Sequence, residues 1–426
     1  MSAFYHSVFL EADRCKGCIN CIKRCPTGAI RVRGGKAHII KEYCIDCGEC
    51  IRVCPHHAKR ARYDSRDTLK NYRYKVALPA PSFYAQFNNV SDTGIVLKAL
   101  IKMGFDDVYE VAAAAEMVSE LTRKYIAEHP EGKPYISTAC PSIVRLIRVR
   151  FPNLLERMLP IITPADLAAS LAAKEAMEKT GLPREDIGIF FLTPCPAKVT
   201  AVQDPLGIEK SEIDQVLAIK KVYTALLPLM DHNDAGETEL KRAGRIGISW
   251  GKSGGEVSGL LTDSYIAADG IENVIRVLED LEDNKIQDLD FVELNACTGG
   301  CVGGVMTMEN PFIAKARLQT LRRYLPVSQN FLSAEDKYIP SDCFFGSVPD
   351  YKPMTKLSDN IGDSMRMMAD IQKLREQLPG TDCGACGAPN SRALAEDVIK
   401  GERSVDACII KRFREETAKP KSEDEQ

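Results

Sequence analysis

No excess of charge of either sign marks this chain: 56 Lys and Arg stand against 59 Asp and Glu, which leaves no basic field for nucleic acid or another polyanion. No apolar run approaches the ~18 residues that span a bilayer, and residues 1–10 lack the charged, apolar and small-residue order of a secretory signal. No membrane partner and a cytoplasmic location are therefore expected. The 426 residues are too many for one small module; at roughly 150 per domain they predict about three domains, and 45% hydrophobic with 27% charged residues suits globular ones. Cysteine is what the chain has in surplus. A reducing compartment does not maintain disulfides, so 16 cysteines in clusters point to metal ligands or catalytic groups.

Eight of them lie between Cys15 and Cys54, five between Cys140 and Cys343, and three between Cys383 and Cys408. The first group is an internal repeat: Cys15-x-x-Cys18-x-x-Cys21-x-x-x-Cys25-Pro26 recurs as Cys44-x-x-Cys47-x-x-Cys50-x-x-x-Cys54-Pro55. Three thiolates at i, i+3 and i+6 wrap one face of a cubane, and the proline after the fourth turns the chain away to serve a second cluster, as in bacterial two-cluster ferredoxins. Cluster one then takes Cys15, Cys18, Cys21 and Cys54, and cluster two takes Cys44, Cys47, Cys50 and Cys25. Paired structural zinc sites are the alternative that C-x-x-C spacing allows. Ile19, Ile22, Ile30, Ile45, Ile51 and Val53 shield the clusters or simply form a small core.

From Tyr72 onward, apolar runs alternate with helical periodicity. Strands are expected over residues 74–78, 134–137, 187–192, 245–250 and 291–296; helices over 94–103, with Asp92 near the cap, 113–127 and 165–179. This is an α/β pattern, and ligands of open α/β sheets bind beyond the carboxyl ends of strands. Ala80-Pro81-Ser82, Cys140, Cys195 and Cys297 each follow an expected strand. Spacing alone does not tie together cysteines more than 150 residues apart; taken singly, Cys140 and Cys195 suit buried apolar thiols, and Cys297-Thr298-Gly299-Gly300-Cys301 suits a Gly-rich turn.

Taken together, Thr138-Ala139-Cys140-Pro141, Thr193-Pro194-Cys195-Pro196-Ala197-Lys198 and Glu293-Leu294-Asn295-Ala296-Cys297-Thr298-Gly299-Gly300-Cys301 resemble, in order, the three signature segments of the iron-iron ([FeFe]) hydrogenases. With the ferredoxin-like repeat, the resemblance covers about residues 1–345. It implies an α/β hydrogenase catalytic domain behind an α+β bacterial ferredoxin-like domain. Cys140, Cys195, Cys297 and Cys301 would hold the 4Fe-4S cube of an H-cluster, with Cys301 bridging to a diiron unit that bears CO, cyanide and an azadithiolate. Lys198 matches the lysine that donates to one cyanide, and Ala80-Pro81-Ser82 the loop that serves the other. Ser253-Gly254-Gly255-Glu256 resembles a further segment near the cluster.

Several positions depart from that pattern. The family cysteine that relays protons beside the first cube ligand is Ala139 here, and alanine carries no proton. The Glu-Glu-x-x-Glu of the same route reads Glu116-Met117-Val118-Ser119-Glu120; Glu116 and Glu120, four apart on one helix face, read by default as solvated. A methionine flanking the cluster is replaced by Asn295, and a Gly-Gly-Gln run by Val305-Met306-Thr307. These departures are similar to those of divergent, sensory-type hydrogenases and imply slow turnover.

Residues 345–364, rich in Pro, Gly and Asp, read as a linker before a helix over 364–376. Cys383, Cys386 and Cys408 then resemble the ligands of a small, mainly helical 4Fe-4S domain, with Ser391 at the place of its remaining cysteine. A serine oxygen is harder and less acidic than a thiol, so altered potential, lability, a three-iron species or a metal-free fold are the alternatives. Cys343 is left over as a buried thiol. The expected partition is a ferredoxin-like domain over 1–65, an H-cluster domain over 66–345, linker and C-terminal iron-sulfur domain over 346–412, and a disordered charged tail over 413–426.

The implied activity is reversible H₂ oxidation and proton reduction, with ferredoxin or another redox protein as electron partner and maturases delivering the diiron unit. A sensory role adds a signalling partner, because these residues include no signalling domain. The remaining alternative is a non-catalytic iron-sulfur relay or assembly protein without the diiron unit.

Overall fold

A computed structural model describes residues 6–332, 343–347, 349–352 and 357–418; part of the expected linker and the end of the expected tail lie outside these. The chain divides into two compact units. One holds Val8–Cys44, Glu49–Arg60 and Pro353–Gln426, and the other Met1–Ser7, Ile45–Gly48 and Ala61–Lys352.

In the former, β1 (Val8–Leu10) pairs with β4 (Lys59–Ala61), and β2 (Ile30–Arg33) forms an antiparallel hairpin with β3 (Lys36–Ile39). Short helices Asn20–Lys23 and Glu49–Arg52 carry the third cysteine of each triplet. This is the expected ferredoxin-like α+β arrangement; Ile22 and Ile30 are buried in its core, whereas Ile19 is exposed. The C-terminal segment contributes helices Ile361–Gln377, Ser391–Ile399 and Ile409–Ala418 around Ile371, Leu378, Leu394 and Cys408. It joins the β2–β3 hairpin through the Val32 N–H, which donates to the Gly387 carbonyl at 2.8 Å. Beside it, buried Arg31 donates from Nε to both carboxylate oxygens of buried Asp397 at 2.9 and 3.0 Å. The tail expected from residue 413 is helical as far as Ala418: Ile410 anchors that helix on the core, and Lys411 pairs with Glu415 at 3.0 Å one turn on.

The other unit is built on two parallel sheets, ordered β6–β5–β8–β9 and β10–β11–β7. The first comprises β5 (Tyr74–Pro79), β6 (Asp107–Val108), β8 (Ile187–Thr193) and β9 (Gln215–Ala218); the second comprises β7 (Tyr135–Ile136), β10 (Tyr265–Asp269) and β11 (Phe291–Asn295). All seven residues of β8 are buried between β5 and β9, with Leu78 opposite Phe191 and Leu192 opposite Leu217, as a continuous apolar run in a central parallel strand requires. Helix Thr93–Lys102 starts where Asp92 Oδ1 accepts the Gly94 N–H at 2.7 Å, and helix Pro164–Thr180 stops at Gly181 in the left-handed region, φ +67°.

The strand expected over 245–250 is instead a helix, Arg245–Ser249. Its Arg-Ile-Gly-Ile-Ser alternation mimics a strand, but Gly247 lets it press against helix Val111–Glu128, where a Cβ would sit 1.9 Å from the Ala112 carbonyl oxygen. Glu116 Oε1 accepts the N–H groups of Gly244 (2.7 Å) and Gly247 (3.4 Å), donors that a helix N-terminus otherwise leaves unpaired. Among the described residues no helix is long and apolar enough to cross a membrane.

Candidate cluster sites

Cys140 and Cys195 are built alike. Each ends a strand-to-helix turn as the extended N-cap residue, with proline (Pro141, Pro196) at the first helical position, where its missing N–H costs nothing. The thiol thereby stands at a helix N-terminus, where backbone N–H groups favour a thiolate. The N–H groups of Ala296 and Ile143 act to favour the thiolate of Cys140, and that of Lys198 the thiolate of Cys195. Burial raises the Cys140 pKa and pushes that of Cys195 up to about 12, and neighbouring Cys301 adds to both. Lys198 is the counter-charge: burial lowers its pKa, but Cys301, Cys195, Cys140 and Asp166 outweigh burial and leave it raised. Thiols this buried stay neutral by themselves and become thiolates against a metal, so the donor set fits an iron-sulfur group.

Backbone contacts stitch the loops together. The Ser253 N–H donates to the Gly299 carbonyl and the Met306 N–H to the Pro194 carbonyl, both at 3.0 Å. Gly300 has φ +86° and a Cβ there would lie 2.3 Å from Ser253 N; a Cβ at Gly304 would lie 2.4 Å from the Pro194 carbonyl oxygen. Glycine at 300 therefore lets the Cys297–Cys301 loop close on the Lys252–Ser253 backbone, and glycine at 304 lets the turn that follows close on Pro194 beside Cys195.

Ala80, Pro81, Ala139, Cys140, Lys198 and Cys301 line one cavity, together with Ser137, Trp250, Glu256, Glu293 and Asn295. Ser82 is fully buried beside it in sequence, and its Oγ has no hydrogen-bond partner among the described residues, as a hydroxyl reserved for a bound acceptor would. Ser137 Oγ accepts the Ala139 N–H at 3.2 Å and donates to Glu256 Oε2 at 2.7 Å. Glu293 accepts from the Gly254 and Val257 N–H groups and from Asn295 Nδ2 at 2.9–3.1 Å. Burial raises both carboxyl pKa values, and for Glu256 the nearby Glu293 adds to the effect. Neither carboxylate has a role of its own in the sequence, although Glu256 ends the Ser253–Glu256 segment expected near the cluster and Glu293 opens the segment that carries Cys297 and Cys301.

Glu116 and Glu120 do not line this cavity. Glu116 is not on a solvated face: it is 2% exposed, and its Oε2 accepts from Gln329 N, Asn330 N and Asn330 Nδ2 at 2.7–3.1 Å. Glu120 is half-buried, accepts the Leu332 N–H at 2.9 Å and pairs with Lys124 at 3.0 Å. Met306 and Cys343 are buried, the latter accepting the Ile162 N–H on its carbonyl at 3.0 Å.

In the other unit, Cys15, Cys18, Cys21 and Cys54 come together: burial raises the Cys21 pKa to about 11, and Cys18, Cys15 and Cys54 add to it. The repeats match locally, since the Ala29 N–H donates to Cys25 Sγ at 3.2 Å and the Ala58 N–H to Cys54 Sγ at 3.3 Å. Cys44 and Cys50 belong to this unit, Cys47 to the other. Cys383, Cys386 and Cys408 also converge, burial raising Cys386 while Cys408 and Cys383 act on it. Ser391 opens helix Ser391–Ile399, and its N–H donates to Asp382 Oδ1 at 2.7 Å, next to Cys383.

The family defined by the C-terminal domain of the iron-only hydrogenase large subunit matches residues 73–261 and 253–305, a 4Fe-4S dicluster domain matches 7–55, and a putative Fe-S cluster domain matches 378–410. Among curated proteins, the chain is 24% identical over 290 residues to iron hydrogenase 1 of Clostridium pasteurianum (54% of this chain, 50% of that one). It is 22% identical over 265 residues to the NADP-reducing hydrogenase subunit HndD of Solidesulfovibrio fructosivorans (50% and 45%). It thus spans about half the length of these relatives. A solved [FeFe]-hydrogenase structure, from work on oxygen inactivation of the H cluster, superposes with a TM-score of 0.50 at 14% identity over 68% of this chain and 97% of that one. With more than half its length inside the family's domain, the chain belongs to the iron-only hydrogenase large-subunit family, as a divergent [FeFe]-hydrogenase-like protein with iron-sulfur domains at both ends.

Proposed function

We propose that this protein is a slow [FeFe]-hydrogenase that interconverts H₂ with protons and electrons at an H-cluster. The carrying observation is that Cys140, Cys301 and Lys198 line one cavity, with Cys195 close enough to interact electrostatically with all three. Cys297, on the same loop as Cys301, would complete the four thiolates that hold the cube, and Cys301 would be the one that also holds the diiron unit. When bound, the H-cluster supplies the iron that takes hydrogen and the amine that exchanges its proton. The chain's own residues anchor and orient it. Lys198 would donate to one cyanide, and Ser82, whose Oγ has no hydrogen-bond partner among the described residues, to the other; bonds to an anionic acceptor are charge-assisted.

Ala139 can hold no proton, so protons must take another path. Glu256 lies one hydrogen bond from Ser137, whose Oγ meets the Ala139 N–H, and its raised pKa keeps a proton on it near neutrality. We assign the proton route to Glu256 and Ser137, with Glu293 behind them. Electrons pass through the two N-terminal clusters and the C-terminal cluster, in which Ser391 replaces a thiolate. At pH 7 the H⁺/H₂ couple sits near roughly −0.41 V, from ~59 mV per pH unit, close to ferredoxin-type clusters at about −400 mV. The partner would be ferredoxin or a similar cytoplasmic redox protein. The loss of the relay thiol also suits a chain that reports H₂ or redox state to a signalling partner.

Infrared spectroscopy after maturation tests the reading: bands of iron-bound CO and CN that shift under H₂ support it. Their absence from a chain with full cluster iron would overturn it in favour of a relay without the diiron unit. Ala139→Cys then tests the proton argument; an unchanged turnover rate would refute the missing-relay explanation.

A further inference from the structure

The two cluster runs of the N-terminal repeat share their cysteine and proline spacing, and the structure shows where they part. After the fourth cysteine of each run the chain reads Cys25-Pro26-Thr27-Gly28-Ala29-Ile30 and Cys54-Pro55-His56-His57-Ala58-Lys59. Ala29 and Ala58 make the same N–H bond to their cysteine sulfurs, at 3.2 and 3.3 Å, so Ile30 and Lys59 occupy equivalent places. Both are 2% exposed. Ile30 packs in the hydrophobic core of this unit; Lys59 brings an ammonium to the same depth.

That ammonium has no hydrogen-bond partner among the described residues. A buried cation without an anion is costly, and such groups persist only where an opposite charge meets them. The charge acting on it comes from sulfur: Lys59 interacts electrostatically with Cys21 and Cys54, and its own backbone N–H reaches Cys54 Sγ. Cys21 is also the residue on which Cys15 and Cys18 act, so Lys59 stands at the four-cysteine site assigned to cluster one. A cubane on four thiolates is a net anion that gains one more negative charge on reduction, so it fits an orphaned buried ammonium and is bound more favourably by it when reduced.

We infer that Lys59 is a potential-setting residue that makes the cluster of Cys15, Cys18, Cys21 and Cys54 the more readily reduced of the two N-terminal clusters. The repeat alone predicts two equivalent cofactors; with an ammonium at Lys59 where the equivalent place beside Cys25 holds the uncharged Ile30, cluster one collects the first electron and cluster two fills at lower potential. The inference rests on the cluster-one ligand assignment made above, which iron and sulfide content and total EPR spin report separately.

The test is an EPR-monitored potentiometric titration of the full chain, wild type against Lys59→Met and Lys59→Arg. In the wild type the two N-terminal clusters titrate at separate potentials. Lys59→Met moves one step down so that, at that step's wild-type midpoint, the ratio of reduced to oxidised cluster falls at least tenfold, about 59 mV for a one-electron couple. Lys59→Arg keeps the charge and holds the step in place. The inference is overturned if Lys59→Met loads its full iron yet titrates as the wild type does, or if Lys59→Arg shifts as far as Lys59→Met. If Lys59→Met fails to load iron, the wild-type titration decides alone: coincident midpoints for the two N-terminal clusters refute it, and separate ones sustain it. Iron content one cluster short in the wild type would instead count against the ligand assignment.

Discussion

The N-terminal repeat and the central unit hold sulfur in opposite ways. In the repeat, three cysteines of a set lie within seven residues, so a short helix and two turns are enough to gather them. In the central unit Cys140, Cys195 and Cys301 span 162 residues and meet only because β7, β8 and β11 end at one place and their loops are locked by contacts such as Met306 N–H to Pro194 O. A local site survives much disturbance of the surrounding fold, whereas a site assembled from strand ends is as fragile as the sheet contacts that bring them together. The same contrast runs through the carboxylates: Glu116 ties chain to chain, while Glu256 faces the cavity.

The sharpest way to break this comparison is Cys195→Ala. We expect loss of the central cluster and of all H₂ turnover, with the N-terminal EPR signals retained; iron analysis and EPR check it, and parallel loss of the N-terminal signals would show that the two regions do not load independently. Next, Glu256→Gln should lower turnover by about 10²–10⁴-fold if the proton route runs through it, read in an H₂-evolution assay. The same variant has a stability signature of known sign. Because burial raises the Glu256 pKa, the unfolded chain releases this proton first; the wild-type contribution is complete below the ordinary carboxyl range and drains away as pH rises through the raised folded value. Glu256→Gln should therefore be more stable than the wild type at neutral and alkaline pH, by on the order of 1–3 kcal/mol in denaturant unfolding, and the gap should close in acid.

Within the other unit, Asp397→Asn leaves the buried Arg31 guanidinium without its carboxylate and should cost about 3–5 kcal/mol, seen as early denaturant release of the C-terminal segment in hydrogen exchange. The smallest effect is expected of Ser391→Cys: the C-terminal cluster gains a fourth thiolate and resists iron loss to chelator, with turnover little changed. If iron loss is the same in both, Ser391 is not the fourth ligand.

The α/β class was legible because periodicity is a local signal, and the cap at Asp92 follows from a single residue; the Cys-Pro helix starts at Cys140 and Cys195, though each is written in one dipeptide, were not among the expected helices. The helix Arg245–Ser249 was not, since its alternation imitates a strand and its cause, the carboxylate of Glu116, sits more than 120 residues earlier in the chain. Lys59 was equally hidden: in sequence it is one more lysine in a basic stretch, and only burial distinguishes it.

By itself, then, the sequence determined which sulfur atoms were available, how those of the repeat are spaced, and that alanine stands where a proton relay is expected. The tertiary structure decided which distant residues share a cavity and which charges are buried, because both depend on how strand ends and helix faces meet, and burial alone turns an ordinary lysine or glutamate into one whose charge has consequences.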